Sequence, residues 1–251
     1  MKRFAIVLLA VLLTIGMCSC AKPEDIVKVD DSTVNANDNK TNFGKACAYI
    51  ERTLDVSKMT SSTQDESDGQ SLYATWFADG EQSDAEIEKK FTIDGKEFTL
   101  GATLIKETKE MGFTYDSEEK TVDPDTSYGL TMNKDANWIN IGVDNMTDSK
   151  LELDEMPITV VNFTSKKANV GETVMPFDYK GINEKDSFTI EDVVKAFGAP
   201  NNTISLSSDM SGCGIELDYT APDVSLCINL LYDPATDSAE FMNMRVAMSA
   251  E

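Results

Sequence analysis

The chain contains no histidine. That removes the commonest general base, the side chain that switches charge near neutrality and the best nitrogen ligand for transition metals. Ser-His-Asp and Cys-His catalysis are excluded with it, and only carboxylate or Ser-Lys chemistry survives. Basic residues are scarce: 22 Lys and Arg stand against 44 Asp and Glu, a net charge of −22. Such a surface repels phosphate backbones, so nucleic acid is excluded as a partner. Cysteine is sparse too, five in 251 residues, and the spacing fits neither a zinc motif nor a disulfide framework. No G-x-S-x-G elbow, P-loop or dinucleotide fingerprint occurs. Nor does any apolar run reach the ~20 residues that a membrane-spanning helix needs.

What is present begins at the N-terminus. Lys2 and Arg3 form a positive n-region, and Phe4 to Ile15 is almost unbroken apolar sequence. A stretch of about a dozen residues is right for a signal-peptide core and too short to cross a bilayer. It closes on Leu13-Thr14-Ile15-Gly16-Met17-Cys18-Ser19-Cys20. This resembles the lipobox of bacterial lipoproteins. The resemblance implies that a cysteine is diacylated and becomes the first residue of the mature chain. The pattern asks for an aliphatic residue at −3 and a small one at −1. Cys20 has Met17 and Ser19 there; Cys18 has Ile15 and the bulkier Met17. Cys20 is therefore the preferred lipidation site and Cys18 the alternative. Residues 1–19 are then a signal peptide, and the protein sits lipid-anchored on the extracytoplasmic face of the cell membrane. Cleavage removes Lys2 and Arg3, leaving 20 basic against 44 acidic side chains, about −24. An acidic body of this kind stays soluble and stands off anionic headgroups.

Residues 20–42 are polar and acidic, with Asp30, Asp31, Asn35 and Asp38 and no sustained apolar period, and read as a flexible stalk. Phe43, Ala46, Cys47, Ile50 and Leu54 recur at helical spacing, which predicts a helix with Cys47 on its apolar stripe. Ser57 to Gln70 is rich in Ser, Thr and Asp and reads as a loop, and Ser71 to Phe77 as a strand.

An internal repeat follows. Phe98-Thr99-Leu100 recurs as Phe188-Thr189-Ile190, 90 positions on, and each is read as the start of a short amphipathic helix. In the second, Ile190, Val193, Val194 and Phe197 share a face. Thr189 and Asp192 form a capping-box pair, Phe188 and Val193 a hydrophobic staple, and Gly198 and Pro200 stop the helix. The first runs through Leu104, Ile105, Thr108 and Met111 to Gly112, about one turn longer. Strand-like alternation follows both helices. Tyr128, Leu130 and Met132 alternate, as do Ile139, Ile141 and Val143, with an apolar run from Pro157 to Phe163 beyond them. The second set is Cys213, Ile215, Leu217 and Tyr219, then Val224 to Leu230, then Met242 to Met248. Thr147-Asp148-Ser149 and Thr236-Asp237-Ser238 mark turns 89 apart. The predicted fold is α+β, two tandem modules (43–170 and 171–251), each a short helix followed by an antiparallel sheet of about four strands. Element order over Phe98 to Met248 resembles β-lactamase-inhibitor-like proteins and small outer-membrane-assembly lipoproteins. That resemblance implies a non-catalytic, protein-binding role.

Local clusters add little chemistry. Asp65-Glu66-Ser67-Asp68-Gly69 and Asp123-Pro124-Asp125 lack the regular ligand spacing of a calcium loop and read as turns. Met242, Met244 and Met248 have strand spacing and read as core, and Trp76 and Trp138 sit in strand-like runs. Cys213 shares a face with Ile215, whereas Cys227 falls between Leu226 and Ile228, so the two thiols point apart and no bond is expected between them. No catalytic, cofactor-binding or metal-ligating residue is assigned. The expected function is a non-enzymatic binding module for a protein or envelope partner. A carboxylate-dependent glycan hydrolase or a solute-binding lipoprotein is the alternative, and it needs converging carboxylates beside an aromatic such as Trp138. The anchor is tested directly: Cys20→Ala releases the protein from the membrane fraction or leaves an uncleaved precursor, and labelling with a clickable fatty acid is lost. Labelling abolished by Cys18→Ala and kept in Cys20→Ala would move the site by two residues.

Overall fold

The structure, a computed structural model, describes residues 41–65, 72–79, 85, 87–115, 117–169, 174–185, 187–209 and 212–249. It is α+β and dominated by antiparallel strands. Helix α1 (Asn42–Thr53) is capped by Thr41, whose Oγ1 accepts the Gly44 N–H at 3.0 Å. Strands β1 (Met59–Asp65) and β2 (Leu72–Ala78) follow, then the hairpin β3 (Lys90–Ile93) and β4 (Lys96–Thr99). Helix α2 (Ile105–Glu110) leads to β5 (Thr114–Tyr115), β6 (Thr121–Val122), β7 (Thr126–Lys134), β8 (Asn137–Asn145), β9 (Leu151–Glu152) and β10 (Val160–Thr164). A second hairpin, β11 (Phe177–Tyr179) and β12 (Ile182–Asn183), precedes α3 (Ile190–Phe197). The chain ends in β13 (Thr203–Asp209), β14 (Gly212–Ala221), β15 (Val224–Asp233) and β16 (Ser238–Met248).

Ten strands form one sheet in the order β1-β2-β13-β14-β15-β16-β10-β8-β7-β5, and four form a second in the order β12-β11-β3-β4; β6 and β9 pair alone. Outward from the central pair β16–β10, one side runs back through β15, β14 and β13 and the other through β8, β7 and β5. Each of these series is preceded in the chain by a hairpin and then a helix. The hairpins themselves meet through their first strands, β11 on β3. Both have a two-residue turn with positive φ at each position, Asp94-Gly95 (49° and 70°) and Lys180-Gly181 (53° and 86°). That is the primed geometry which matches strand twist.

The core lies between the two sheets. Phe91 and Phe98 stack at 5.7 Å in the first hairpin, and Phe91 meets Phe163 of β10 edge-on at 5.3 Å. Phe163 packs 5.9 Å from Tyr179, Tyr179 lies 5.4 Å from Phe197, and Phe197 lies 6.1 Å from Tyr219 of β14. All six rings are nearly or fully buried. Strand alternation in the second half is as expected: Cys213, Ile215, Leu217 and Tyr219 are buried while Glu216 and Asp218 are half-buried. The capping box of α3 also forms. Asp192 Oδ2 accepts the Thr189 N–H at 2.9 Å, and Gly198 closes the helix at φ 84°.

Three expectations require correction. The match of Phe98-Thr99-Leu100 to Phe188-Thr189-Ile190 is not a shared helix start. Phe98 and Thr99 end β4, and α2 begins only at Ile105. The Asp94-Gly95 turn folds Phe98 back onto Phe91, and the Thr99 N–H then donates to Thr103 Oγ1 at 2.8 Å in a turn that takes up the chain before α2. So α2, with six residues, is shorter than the eight of α3, not a turn longer. The stretch read as a loop contains β1, an edge strand whose only partner among the described residues is β2. Thr60, Ser61 and Ser62 are exposed there, so no apolar alternation announces it.

Phe197→Ala removes the ring that joins α3 to Tyr179 and Tyr219, and should cost ~3–5 kcal/mol by denaturant unfolding. A loss below about 1 kcal/mol would mean that the site collapses around the gap and the ring is dispensable. Acid stability has a separate origin. Hydrogen bonds from Lys109 and from the Tyr115 hydroxyl hold the Asp154 carboxyl below the usual carboxylate range. A lowered folded-state pKa contributes stability above the ordinary value of about 4, lost as pH falls through the folded-state value. The thermal midpoint should fall below about pH 4 in the wild type, and Asp154→Asn should remove part of that fall while lowering the midpoint at neutral pH.

Candidate functional site

The large sheet has two unlike faces. One carries the apolar side chains and meets α1, α3 and the small sheet: Tyr49 of α1 packs 5.4 Å from Tyr232, and the Tyr219 hydroxyl donates to the Gly198 carbonyl at 3.3 Å. Two rows of mostly polar side chains cross the centre of the opposite face. Cross-strand pairing aligns Thr203, Asp218, Cys227, Arg245, Asn162, Asn140 and Thr131 in a single row over seven strands, β13 to β7. A parallel row contains Ser205, Glu216, Asn229, Asn243 and Thr164. Asn229 Nδ2 donates to Asn243 Oδ1 at 3.0 Å, and Thr131 Oγ1 donates to Asn140 Oδ1 at 3.0 Å, so neighbouring side chains fix one another. Towards the centre Cys227 is buried and its neighbours are half-buried; Asn140 and Thr131 at the β7 side are exposed.

Near the middle of this face one donor atom each of Glu216, Asp218 and Cys227 lie within 4.8 Å of one another. The geometry follows from the pleat: Glu216 and Asp218 stand two apart on β14 and share a face, and Cys227 is the cross-strand partner of Asp218. Asn229 Nδ2 approaches Cys227 Sγ at 3.9 Å. Two carboxylates and a thiol make a mixed hard and soft donor set, one short of the four ligands of a structural zinc site. The set can hold a cationic group at the surface. Arg245 sits directly across from Cys227 and offers the opposite charge beside it.

The two tryptophans separate. Trp76 is core at 4% exposure. Trp138 is half-buried, on β8, and lines a small pocket with Asn162, Thr164, Val174 and Met175. The hydrolase alternative needs carboxylates converging beside such a ring. Glu216 and Asp218 converge on β14, but β15, β16 and β10 stand between them and β8. Four strand spacings place the two features about 19 Å apart, too far to flank one glycosidic bond. A second depression, an open groove of about 550 Å³, lies by the small sheet among Lys90, Glu97, Asp178 and Lys195. Lys90 and Glu97 pair across it at 3.6 Å. Among the described residues one carboxylate is deeply buried, Glu184, and its Oε2 accepts the Phe177 N–H at 3.0 Å, which pins the second hairpin.

Cys18, Cys20 and Glu66 to Gly69 lie outside the described residues. Asp123 is a turn residue paired with Lys150 at 2.7 Å. Met244 is buried, and Met242 and Met248 are half-buried. Cys213 and Cys227 lie on opposite faces, as alternation predicts. Among the described residues no helix is long and apolar enough to cross a membrane. Comparison of the chain with protein-family models, with curated proteins and with solved structures finds no match. The Glu216–Asp218–Cys227 set and the amide rows were missed from sequence. Alternation placed each residue on a face, but only strand order brings β14, β15, β16 and β10 side by side.

Proposed function

We propose that this chain is a lipid-anchored, extracytoplasmic binding protein without catalytic activity, attached through Cys20 and engaging a protein or envelope partner with the polar face of its large sheet. The observation that carries the reading is the composition of that face. Its two central rows hold four amides, four hydroxyls, Cys227, Asp218, Glu216 and Arg245, and no Lys. Short side chains already hydrogen-bonded to one another lose little rotamer freedom when a partner lands on them. Elsewhere the acidic surplus discourages contact with nucleic acid and anionic lipid.

The fold is read further as a duplication, with the units starting at β3 and at β11. Each unit is a hairpin, a helix and a four-strand meander: β5, β7, β8 and β10 in one, β13 to β16 in the other. The hairpin glycines Gly95 and Gly181 are 86 positions apart (181 less 95), and the helix-ending glycines Gly112 and Gly198 are also 86 apart (198 less 112). The strand order supports two units related by approximate two-fold symmetry between β10 and β16. Strands β2 and β1 extend the second unit's sheet beyond β13.

The face is tested by charge. Asn140→Lys and Asn162→Glu put long charged side chains into the row, and Lys185→Glu, an exposed turn position, serves as the control. Solubilised envelope proteins are passed over each immobilised variant. Partner retention should fall at least tenfold for the two face variants and stay unchanged for the control. Equal retention by all three, or none by the wild type, would overturn the reading.

A further inference from the structure

The polar face of the large sheet carries an aromatic side chain at one end of its second row. Trp138 stands two residues before Asn140 on β8, so the two share a face. Asn162 pairs with Asn140, so Thr164 falls opposite Trp138, and all three of Trp138, Asn162 and Thr164 line one small pocket. From Thr164 the row continues through Asn243 and Asn229 to Glu216. Its five strands, β8, β10, β16, β15 and β14, place Trp138 and Glu216 about 19 Å apart, roughly the length of four linked sugar rings. The neighbouring row lies two residues along each strand, about 7 Å away, and holds Asn140, Asn162 and Arg245. Trp138, Asn162, Asn243 and Asn229 are all half-buried, so each keeps part of its surface in solvent. The amides are already oriented. Asn229 Nδ2 donates to Asn243 Oδ1 at 3.0 Å, which turns the Asn243 donors and the Asn229 oxygen away from each other. The Thr131 hydroxyl holds Asn140 Oδ1 in the same way and leaves its Nδ2 pointing away from β7.

We propose that this strip binds a linear, uncharged glycan, laid across the strands with one sugar stacked on the Trp138 ring and the hydroxyls of the next units held by Asn162, Asn243 and Asn229. The inference rests on the reading that the polar face is the binding surface, and it names the class of envelope partner. Three features select a glycan. Sugars present apolar C–H faces together with hydroxyls that both donate and accept. An indole ring serves the first, and planar amides with donor and acceptor side by side serve the second. The middle of the strip, Thr164, Asn243 and Asn229, has no formal charge, while the chain as a whole carries −22. A neutral chain can settle there, whereas a phosphorylated or uronic one is repelled by the surrounding acidic surplus. Finally, the two rows hold no aliphatic side chain, although a protein interface is most apolar at its centre. The separation of Trp138 from Glu216, too great for cleavage of one glycosidic bond, suits a chain that runs from one to the other.

The test uses the purified full chain and titration calorimetry with two uncharged probes, cellopentaose and chitopentaose, and with the matching disaccharides. At least one pentasaccharide should bind saturably, and about tenfold more tightly than its disaccharide, which covers only part of the strip. Trp138→Ala should weaken that binding about tenfold, and Asn243→Ala about threefold. Trp138→Phe restores a ring and should recover most of the loss, which separates lost stacking from a folding defect. Lys185→Glu, at its exposed turn, should leave the affinity unchanged. No saturable binding of either pentasaccharide would overturn the assignment; retention of envelope proteins that Asn162→Glu still lowers would then mark the face as a protein site. Equal affinity in the wild type, Trp138→Ala and Asn243→Ala would overturn it as well, because the glycan would then sit elsewhere. Binding that is lost with the ring and with the amide supports it whether or not envelope proteins are retained.

Discussion

Phe163 holds the molecule together. It projects from β10, the strand at which the two halves of the large sheet join, into the space between the sheets. There it touches Phe91 of one hairpin and both Phe177 and Tyr179 of the other, with ring centres 4.6 to 5.9 Å away. Those hairpins are joined by few backbone pairs, Phe177 with Ile93 and Asp178 with Thr92. A short four-stranded sheet of this kind has little stability alone, and its aromatic face needs a cover. Phe163 supplies the centre of that cover. Tyr179 reaches past it to donate its hydroxyl to the Glu88 carbonyl at 2.6 Å, so the one polar atom of the cluster is satisfied. The column then continues through Phe197 to Tyr219 and carries α3 with it.

This arrangement settles which side of the large sheet is packed. The column, α1 and α3 use the apolar face, and burial there is nearly complete for Ile215, Leu217, Ile228 and Val246. The strands are antiparallel throughout, so their other face needs no apolar cover. Its central rows are mostly polar on both halves of the sheet, with Asn140 and Thr131 on one side and Thr203 and Ser205 on the other. A one-residue slip in any strand would exchange the two sets. The register that buries Leu217 is therefore the register that presents Asp218.

What could be read from sequence follows the strength of each periodic signal. Helices α1 and α3 were legible because apolar spacing, caps and stop residues agree, as with Thr189, Asp192 and Gly198. Strands β7, β8, β14 and β15 were legible because their apolar residues alternate. The shared apolar face told Cys213 from Cys227 without coordinates. The hairpins were not recognised. Asp94-Gly95 is a strong turn signal, but β3 and β4 have only four residues each, and β12 has two. The repeat was placed on Phe98 and Phe188, whereas the Gly95 to Gly181 spacing is the one that lines up the hairpins. Strand order was beyond reach, because pairing β2 with β13 joins residues more than a hundred positions apart, such as Phe77 and Thr203. No local pattern encodes such a contact.

The candidate face inherits that difficulty. Its central residues come from β13, β14, β15, β16, β10 and β8, two of these strands distant in sequence from the other four, and none is unusual by itself. Asn162 lies beside Arg245 only because β10 and β16 pair, which joins the ends of the two meanders. If these meanders descend from one ancestor, the joint between their last strands created the widest part of the polar face in one step. Each unit alone would offer four strands and an open edge, which exposes unpaired backbone to other chains. Pairing edge to edge removes that hazard at β10 and β16 and doubles the width of the polar face. The same event brings the two hairpins together over Phe163. One contact thus buries the aromatic column on one side of the sheet and makes the polar platform continuous on the other.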